Sequence, residues 1–399
     1  MKTSVMARQW VTYASFYLCR VNFAVIAPLL MVLLGFSIID IGLISSGLLA
    51  AYAAGQFING QLADKYAKKL LSIGIFGSAA MNFLMAFTPT PMLMFVLWTI
   101  NGFFQSMGWS SSVKIVANWH SPEERGKVSG ILGTSYQIGN VFSWLLAGYA
   151  VLLGWTWGFI IPAILFTMSG IHWTLKGKQA PEECGLKTIE NYEENCDMHL
   201  GFKWTVRRCL DWRVWAGAFT LFFLNIIRYG FLTWAPTFLF KLNPEITSVA
   251  LTALVFPLAG SLGGLTIGLL EQKNNNITRI GFVFLVILSG LMLVYPTLES
   301  GTIALAFLGG IGFFTYAPHV LTVTRLPMLL GTRKGAASVT GLIDMMGYVG
   351  STITGITTAY LITIGGWNLA FTFWTAGATL SAVSLALLWN YESKKEKYL

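Results

Sequence analysis

The chain has 399 residues, 55% of them hydrophobic and 11% charged, and a formal net charge of +9. Its mean hydropathy of +0.64 and a charge content under half the roughly 25% of soluble domains exclude an ordinary soluble protein and indicate a polytopic membrane protein. The four cysteines, Cys19, Cys184, Cys196 and Cys209, form no secreted-type framework, and no phosphate-cradling Gly-Lys-Ser/Thr loop supports an ATP drive.

In chain order, twelve apolar runs predict twelve membrane spans, since about 20 residues at 1.5 Å rise cross a hydrocarbon core of about 30 Å. The first, residues 10–34, follows Lys2 and Arg8 and is too long for a signal peptide, so it is expected to be retained. Spans two and three, 41–62 and 70–88, flank the charged stretch Asp64-Lys65-Tyr66-Ala67-Lys68-Lys69. Spans four, five and six cover 91–118, 126–153 and 157–175. The only long polar loop comes next, at the centre of the chain. Spans seven to twelve cover 215–238, 248–270, 278–295, 303–326, 335–362 and 369–389. The expected divisions are a six-helix half at 1–175, a linker at 176–213, a second half at 214–389 and a tail at 390–399.

Placing every Lys and Arg leaves 22 on the side of the amino terminus, three inside spans (Arg20, Lys114, Arg228) and only Lys241 on the other side. The positive-inside rule therefore puts both termini and the linker in the cytoplasm. This asymmetry accounts for the basic balance, and no nucleic-acid role is required. Arg20 and Arg228 lie 208 positions apart, about half the chain, at similar depth in matching runs. An ionisable residue inside a span must face a cavity or a partner rather than lipid. The halves repeat elsewhere too. Arg125-Gly126-Lys127 opens span five as Arg333-Lys334-Gly335 opens span eleven, and both spans end in Gly-Trp corners, Gly154-Trp155 and Gly366-Trp367.

Two six-span halves related by a parallel repeat describe the major facilitator architecture, an all-α membrane fold of twelve helices whose substrate site lies at the midplane between halves. Gly60-Gln61-Leu62-Ala63-Asp64-Lys65-Tyr66-Ala67-Lys68-Lys69 resembles that superfamily's loop motif, with Ala67 where glycine is usual. Asp64 at a helix end suits a latch onto a neighbouring helix's amino terminus or onto a base, and Gly60, Lys65, Lys68 and Arg125 belong to the same gating element.

More specific are Tyr17-Leu18-Cys19-Arg20-Val21-Asn22-Phe23, Gly102-Phe103-Phe104-Gln105-Ser106-Met107-Gly108-Trp109 and Arg228-Tyr229-Gly230-Phe231-Leu232-Thr233-Trp234-Ala235-Pro236-Thr237. Together they resemble the organophosphate:phosphate antiporter family, which includes the bacterial glycerol-3-phosphate and hexose-phosphate transporters. The resemblance implies a carrier of the bacterial inner membrane, without a cofactor and working as a monomer. It would exchange an organic phosphate for inorganic phosphate, with Arg20 and Arg228 on the phosphate.

The chemistry of the residues agrees, because guanidinium presents a planar fork of donors matched to two oxygens of one anion. The plain alternative is that each arginine pairs with a buried acid or with backbone carbonyls. Tyr13, Tyr17 and Arg20 fall at i, i+4 and i+7, one face of a helix, and Tyr52 and Gln56 are likewise aligned. By the resemblance these line a cavity with Tyr136; an interfacial or core aromatic is the alternative for each tyrosine. Gln56 and Tyr136 stand where glycerol-phosphate relatives carry lysine and histidine, and Thr233 where they carry aspartate. Those departures leave room for a proton-coupled carrier of another organic anion. A membrane sensor of sugar phosphate is a third reading, since such receptors resemble these carriers.

In span ten, Tyr316-Ala317-Pro318-His319 resembles the family's Tyr-Gly-Pro-Gln, making His319 either a cavity residue or a packing histidine. Span eleven carries Asp344, the one acid deep in a span, with Tyr348 a turn later. Asp344 suits a counter-ion to an arginine, a proton site, or a contact to cargo. Cys184, Cys196, His199 and Cys209 lack the paired knuckles of zinc modules, and no metal is expected.

Overall fold

The computed structural model describes residues 2–187, 211–271, 277–298, 302–326 and 336–396, apart from the side chains of some residues in the helices. The described residues are helical, with short turns and no strand. In lipid every backbone polar group needs an internal partner, and helices supply it.

The predicted spans are present, with their ends shifted by a few residues. Helix Pro91–Trp119 begins at its proline and helix Trp157–Lys176 just beyond the Gly-Trp corner. Two pairs of spans run on as single long helices with a joint inside. Ile38–Met85 holds spans two and three and departs from helical geometry at Tyr66 (φ −122°, ψ 25°). Ala336–Glu396 holds spans eleven and twelve and breaks at Gly366 (φ 70°). Ser37 caps the former: its hydroxyl accepts from the Asp40 amide at 3.1 Å, and Asp40 Oδ2 accepts from the Ser37 amide at 2.9 Å. Gly154 (φ 122°) matches Gly366 in having the positive φ that side-chain-bearing residues avoid. The repeated Gly-Trp corners are thus repeated in backbone geometry as well as in sequence.

By internal packing the chain forms two compact units, one from the described parts of Met1–Asn195 with Pro236–Leu254, the other from those of Cys196–Ala235 with Val255–Leu399. The first has at its heart a buried cluster that includes Phe16, Tyr17, Leu71, Ile75, Trp119, Phe166 and Trp173. In the second, Phe231 stacks on Phe256 at 5.1 Å between centroids and meets Trp374 at a tilt of 45°, also at 5.1 Å.

Candidate functional site

The first span is not one helix. Helix Lys2–Phe16 tightens into a 3₁₀ turn over Tyr17–Cys19, passes through Arg20 (φ −123°, ψ −47°) and Val21 (φ −110°, ψ −5°), and resumes as Asn22–Leu34. The carbonyls this break releases are met by side chains from other spans. The Cys19 carbonyl accepts from Asn82 Nδ2 and Asn101 Nδ2, each at 2.9 Å, and from Gln105 Nε2 at 3.4 Å. Gln105 Nε2 also donates to the Phe16 carbonyl at 3.0 Å and to Ser78 Oγ at 2.7 Å. Ser78 in turn donates to Asn101 Oδ1, Asn22 Nδ2 donates to Asn82 Oδ1 at 2.9 Å, and Trp144 Nε1 donates to the Val21 carbonyl at 3.1 Å. Asn22, Ser78, Asn82, Asn101 and Gln105 are all at most 1% exposed. They form a buried amide bracket around the turn that carries Arg20.

The face predicted for Tyr13, Tyr17 and Arg20 therefore needs correcting: no continuous α-helix runs through them. The break nonetheless gathers them. Tyr13 meets Tyr17 edge-on at 6.0 Å, and the Arg20 guanidinium carbon lies 5.2 Å from the Tyr17 ring centre and 4.0 Å from that of Tyr52. Such cation–π contacts contribute about 0.5–2 kcal/mol each, more where water is absent. Tyr17 also faces Tyr136 at 6.3 Å, Gln56 Nε2 donates to the Tyr52 hydroxyl at 2.7 Å, and Ser110 donates to Gln56 Oε1 at 2.9 Å. The residues predicted to line the first half's cavity, Tyr13, Tyr17, Tyr52, Gln56 and Tyr136, are brought to one place, at Arg20. Sequence reasoning missed the bracket and Ser110, and left Trp109, whose ring lies 5.0 Å from Tyr13, as a motif letter without a role.

Arg228 has a different backbone setting. It lies inside the helix Trp212–Leu242, and, like Arg20, it is 6% exposed. Its guanidinium carbon lies 5.1 Å from the Tyr316 ring centre and 5.0 Å from that of Tyr229, and Nη1 lies 3.4 Å from His319 Nε2. Tyr229 faces Tyr348 at 6.2 Å, and half-buried Asp344 is near enough to feel the Arg228 charge. Arg228, His319, Asp344 and Tyr348 thus come together in the second unit with Tyr316 and Tyr229.

The stretch expected to gate is partly described. Gly60, Asp64 and Lys65 lie on the long helix Ile38–Met85, and the ammonium of Lys65 rests over the Tyr66 ring at 5.3 Å. Lys68 pairs with Glu183 at 3.3 Å, its backbone amide donates to Gln179 Oε1 at 3.0 Å, and Gln179 Nε2 donates to the Lys65 carbonyl at 3.4 Å. The side chains of Asp64 and Arg125, and the whole of Cys196, His199 and Cys209, lie outside the described residues. Among the described residues no cluster of His, Cys, Asp and Glu is arranged to hold a metal ion.

The model of the Major Facilitator Superfamily matches residues 9–355. The chain belongs to this superfamily. As a major facilitator protein it is an integral membrane transport protein and not an enzyme. A bacterial homologue of the lysosomal transporter Spinster, solved inward-facing and unoccupied, shares the fold. Its TM-score is 0.76 over 97% of this chain and 94% of that one, at 15% identity. Curated relatives match over almost the full length. The glycerol-3-phosphate transporter of Bacillus subtilis is 29% identical over 99% of this chain and 94% of its own. A probable hexose phosphate transport protein of Chlamydia trachomatis is 26% identical over 95% and 89%. The membrane sensor protein UhpC of Escherichia coli is 24% identical over 97% and 92%. These relatives agree with the resemblance to the organophosphate:phosphate antiporters.

Proposed function

We propose that this major facilitator protein is a secondary active transporter that exchanges an organic phosphate, a sugar phosphate or glycerol phosphate, for inorganic phosphate by alternating access. It acts as a monomer in a bacterial inner membrane with both termini cytoplasmic. One observation carries the reading: each half buries one arginine inside a span and surrounds it with tyrosines, Tyr17 and Tyr52 at Arg20, Tyr229 and Tyr316 at Arg228. A charge so placed in a membrane is costly and marks an ion pathway or binding site. Arg20 and Arg228 bind the anion. Tyr13, Tyr17, Tyr52, Gln56 and Tyr136 supply hydroxyl and amide groups suited to phosphate and cargo oxygens, and His319, Asp344 and Tyr348 select the cargo. Gly60, Asp64, Lys65, Lys68 and Arg125 gate the conformational change.

The test is uptake of labelled inorganic phosphate by proteoliposomes preloaded with phosphate, with a panel of unlabelled sugar and glycerol phosphates outside. Counterflow inhibited by one panel member is expected and names the cargo. Absence of counterflow from folded protein overturns the exchange reading.

A second reading has a specific basis. Asp344 lies within the electrostatic reach of Arg228, and Gln56 and Tyr136 bring no further positive charge, an arrangement that also suits proton-coupled movement of another organic anion. Uptake driven by an imposed pH gradient without internal phosphate would favour it. The likeness to a membrane sensor supports a third, in which the bound anion signals to a partner; binding without any flux would favour that one.

A further inference from the structure

His319 closes the helix Thr302–Val320, directly after Pro318 and before the π-turn Leu321–Arg325. It is 9% exposed, with Nε2 3.4 Å from Arg228 Nη1. A guanidinium nitrogen has only protons to offer and stays charged at any ordinary pH. The contact therefore has one consistent form: Nη1 donates, and Nε2 accepts with its lone pair. A neutral imidazole that accepts at Nε2 carries its proton on Nδ1. Nδ1 is buried and has no hydrogen-bond partner among the described residues. A second proton would replace the lone pair at Nε2 with a donor and set an imidazolium against the guanidinium.

The groups around this ring leave that assignment in place. Tyr316, a turn earlier on the same span, faces it at 6.1 Å between ring centres and has its own ring beside the Arg228 guanidinium. Arg228 and Tyr229 come from the seventh span. Asp344, on the eleventh with Tyr348, lies within the electrostatic reach of Arg228. Arg228 is thus the group that determines which ring nitrogen is protonated.

We propose that His319 is a neutral Nδ1–H donor to an oxygen of the transported anion, its tautomer fixed by Arg228, and that it carries no coupled proton. This rests on the anion-binding reading above and deepens it. The second half then offers the anion one full positive charge and a neutral N–H, a set suited to an oxyanion whose own protonation does not change on binding.

The two amide side chains discriminate. The Asn amide nitrogen reproduces the position of Nδ1, and the Gln amide nitrogen that of Nε2. His319→Asn should hold the apparent KM for inorganic phosphate in counterflow within about threefold. His319→Gln, which turns its donor toward the guanidinium, should raise it about tenfold, as expected for one lost hydrogen bond to a charged group. For His319→Asn the dependence of KM on pH from 6 to 8 should match that of the unaltered protein. Melting temperature in detergent controls for folding. Equal KM values for the two variants, a better Gln variant, or a pH dependence abolished in His319→Asn would each overturn the proposal. ¹⁵N resonances of labelled histidine, assigned by difference against His319→Asn, read the tautomer without any transport. An Nε2-protonated ring overturns the proposal even if exchange is normal. An Nδ1-protonated ring in a protein that neither binds nor exchanges phosphate instead overturns the phosphate reading, and with it the ligand half of the proposal.

Discussion

At the residue scale the informative feature is what surrounds the two buried arginines. Tyrosine rings lie 4.0 Å and 5.2 Å from the Arg20 guanidinium carbon and 5.0 Å and 5.1 Å from that of Arg228. A ring face attracts the cation without itself engaging the in-plane N–H donors, one of which Arg228 directs at His319. Lysine keeps the charge but loses the fork. Arg20→Lys and Arg228→Lys should each weaken inorganic phosphate binding by at least about tenfold, measured by labelled phosphate binding in detergent; near-normal binding in either would remove that arginine from the site. Asp344 lies within the electrostatic reach of Arg228. Asp344→Asn should change the order in which sugar and glycerol phosphates compete in phosphate counterflow. An unchanged order would make Asp344 a packing residue.

At the scale of elements, two breaks are repaired by amides from elsewhere in the chain. Around Cys19 the donors are Asn82, Asn101 and Gln105, from the third and fourth spans. Hydrogen bonds between helices in membranes average about 0.6 kcal/mol, so losing one partner of a shared carbonyl is survivable while the turn becomes less defined. Asn101→Leu should lower stability by about 1–2 kcal/mol and raise the KM for phosphate with a smaller effect on maximal rate, because it moves Arg20. A fall in rate at constant KM would contradict the bracket's role in positioning Arg20. The other repair is at Tyr66, where Gln179 takes the place of a peptide group: Oε1 accepts from the Lys68 amide and Nε2 donates to the Lys65 carbonyl. Gln179→Ala should speed amide hydrogen exchange at Lys68 by about tenfold, roughly one hydrogen bond's worth, and leave the Arg20 region unaffected.

At the scale of the whole molecule, the fold was legible because length and apolarity decide it. The termini of helix Trp157–Lys176 fall within a residue of the sequence reading, since Gly154 and the basic Lys176 mark them. The site was legible wherever its residues fell close in sequence, as with Tyr52 and Gln56, one turn apart and hydrogen-bonded. The unwinding at Tyr17–Cys19 was not legible. No glycine or proline marks it, and its cause lies in amides 63 to 86 positions away that only tertiary packing brings to the Cys19 carbonyl. The contrast between Arg20 at a break and Arg228 within a helix was hidden for the same reason, because the two flanking sequences are equally apolar.

The broken turn also carries its own chemical reporter. Cys19, whose carbonyl is the focus of the bracket, has a free thiol that is 0% exposed. In a variant with Ser at 184, 196 and 209, alkylation by a small maleimide can occur only when the turn around Arg20 opens. Its rate should therefore fall as inorganic phosphate is added and rise severalfold in Asn101→Leu, and a rate indifferent to both would mean that the turn moves independently of the anion.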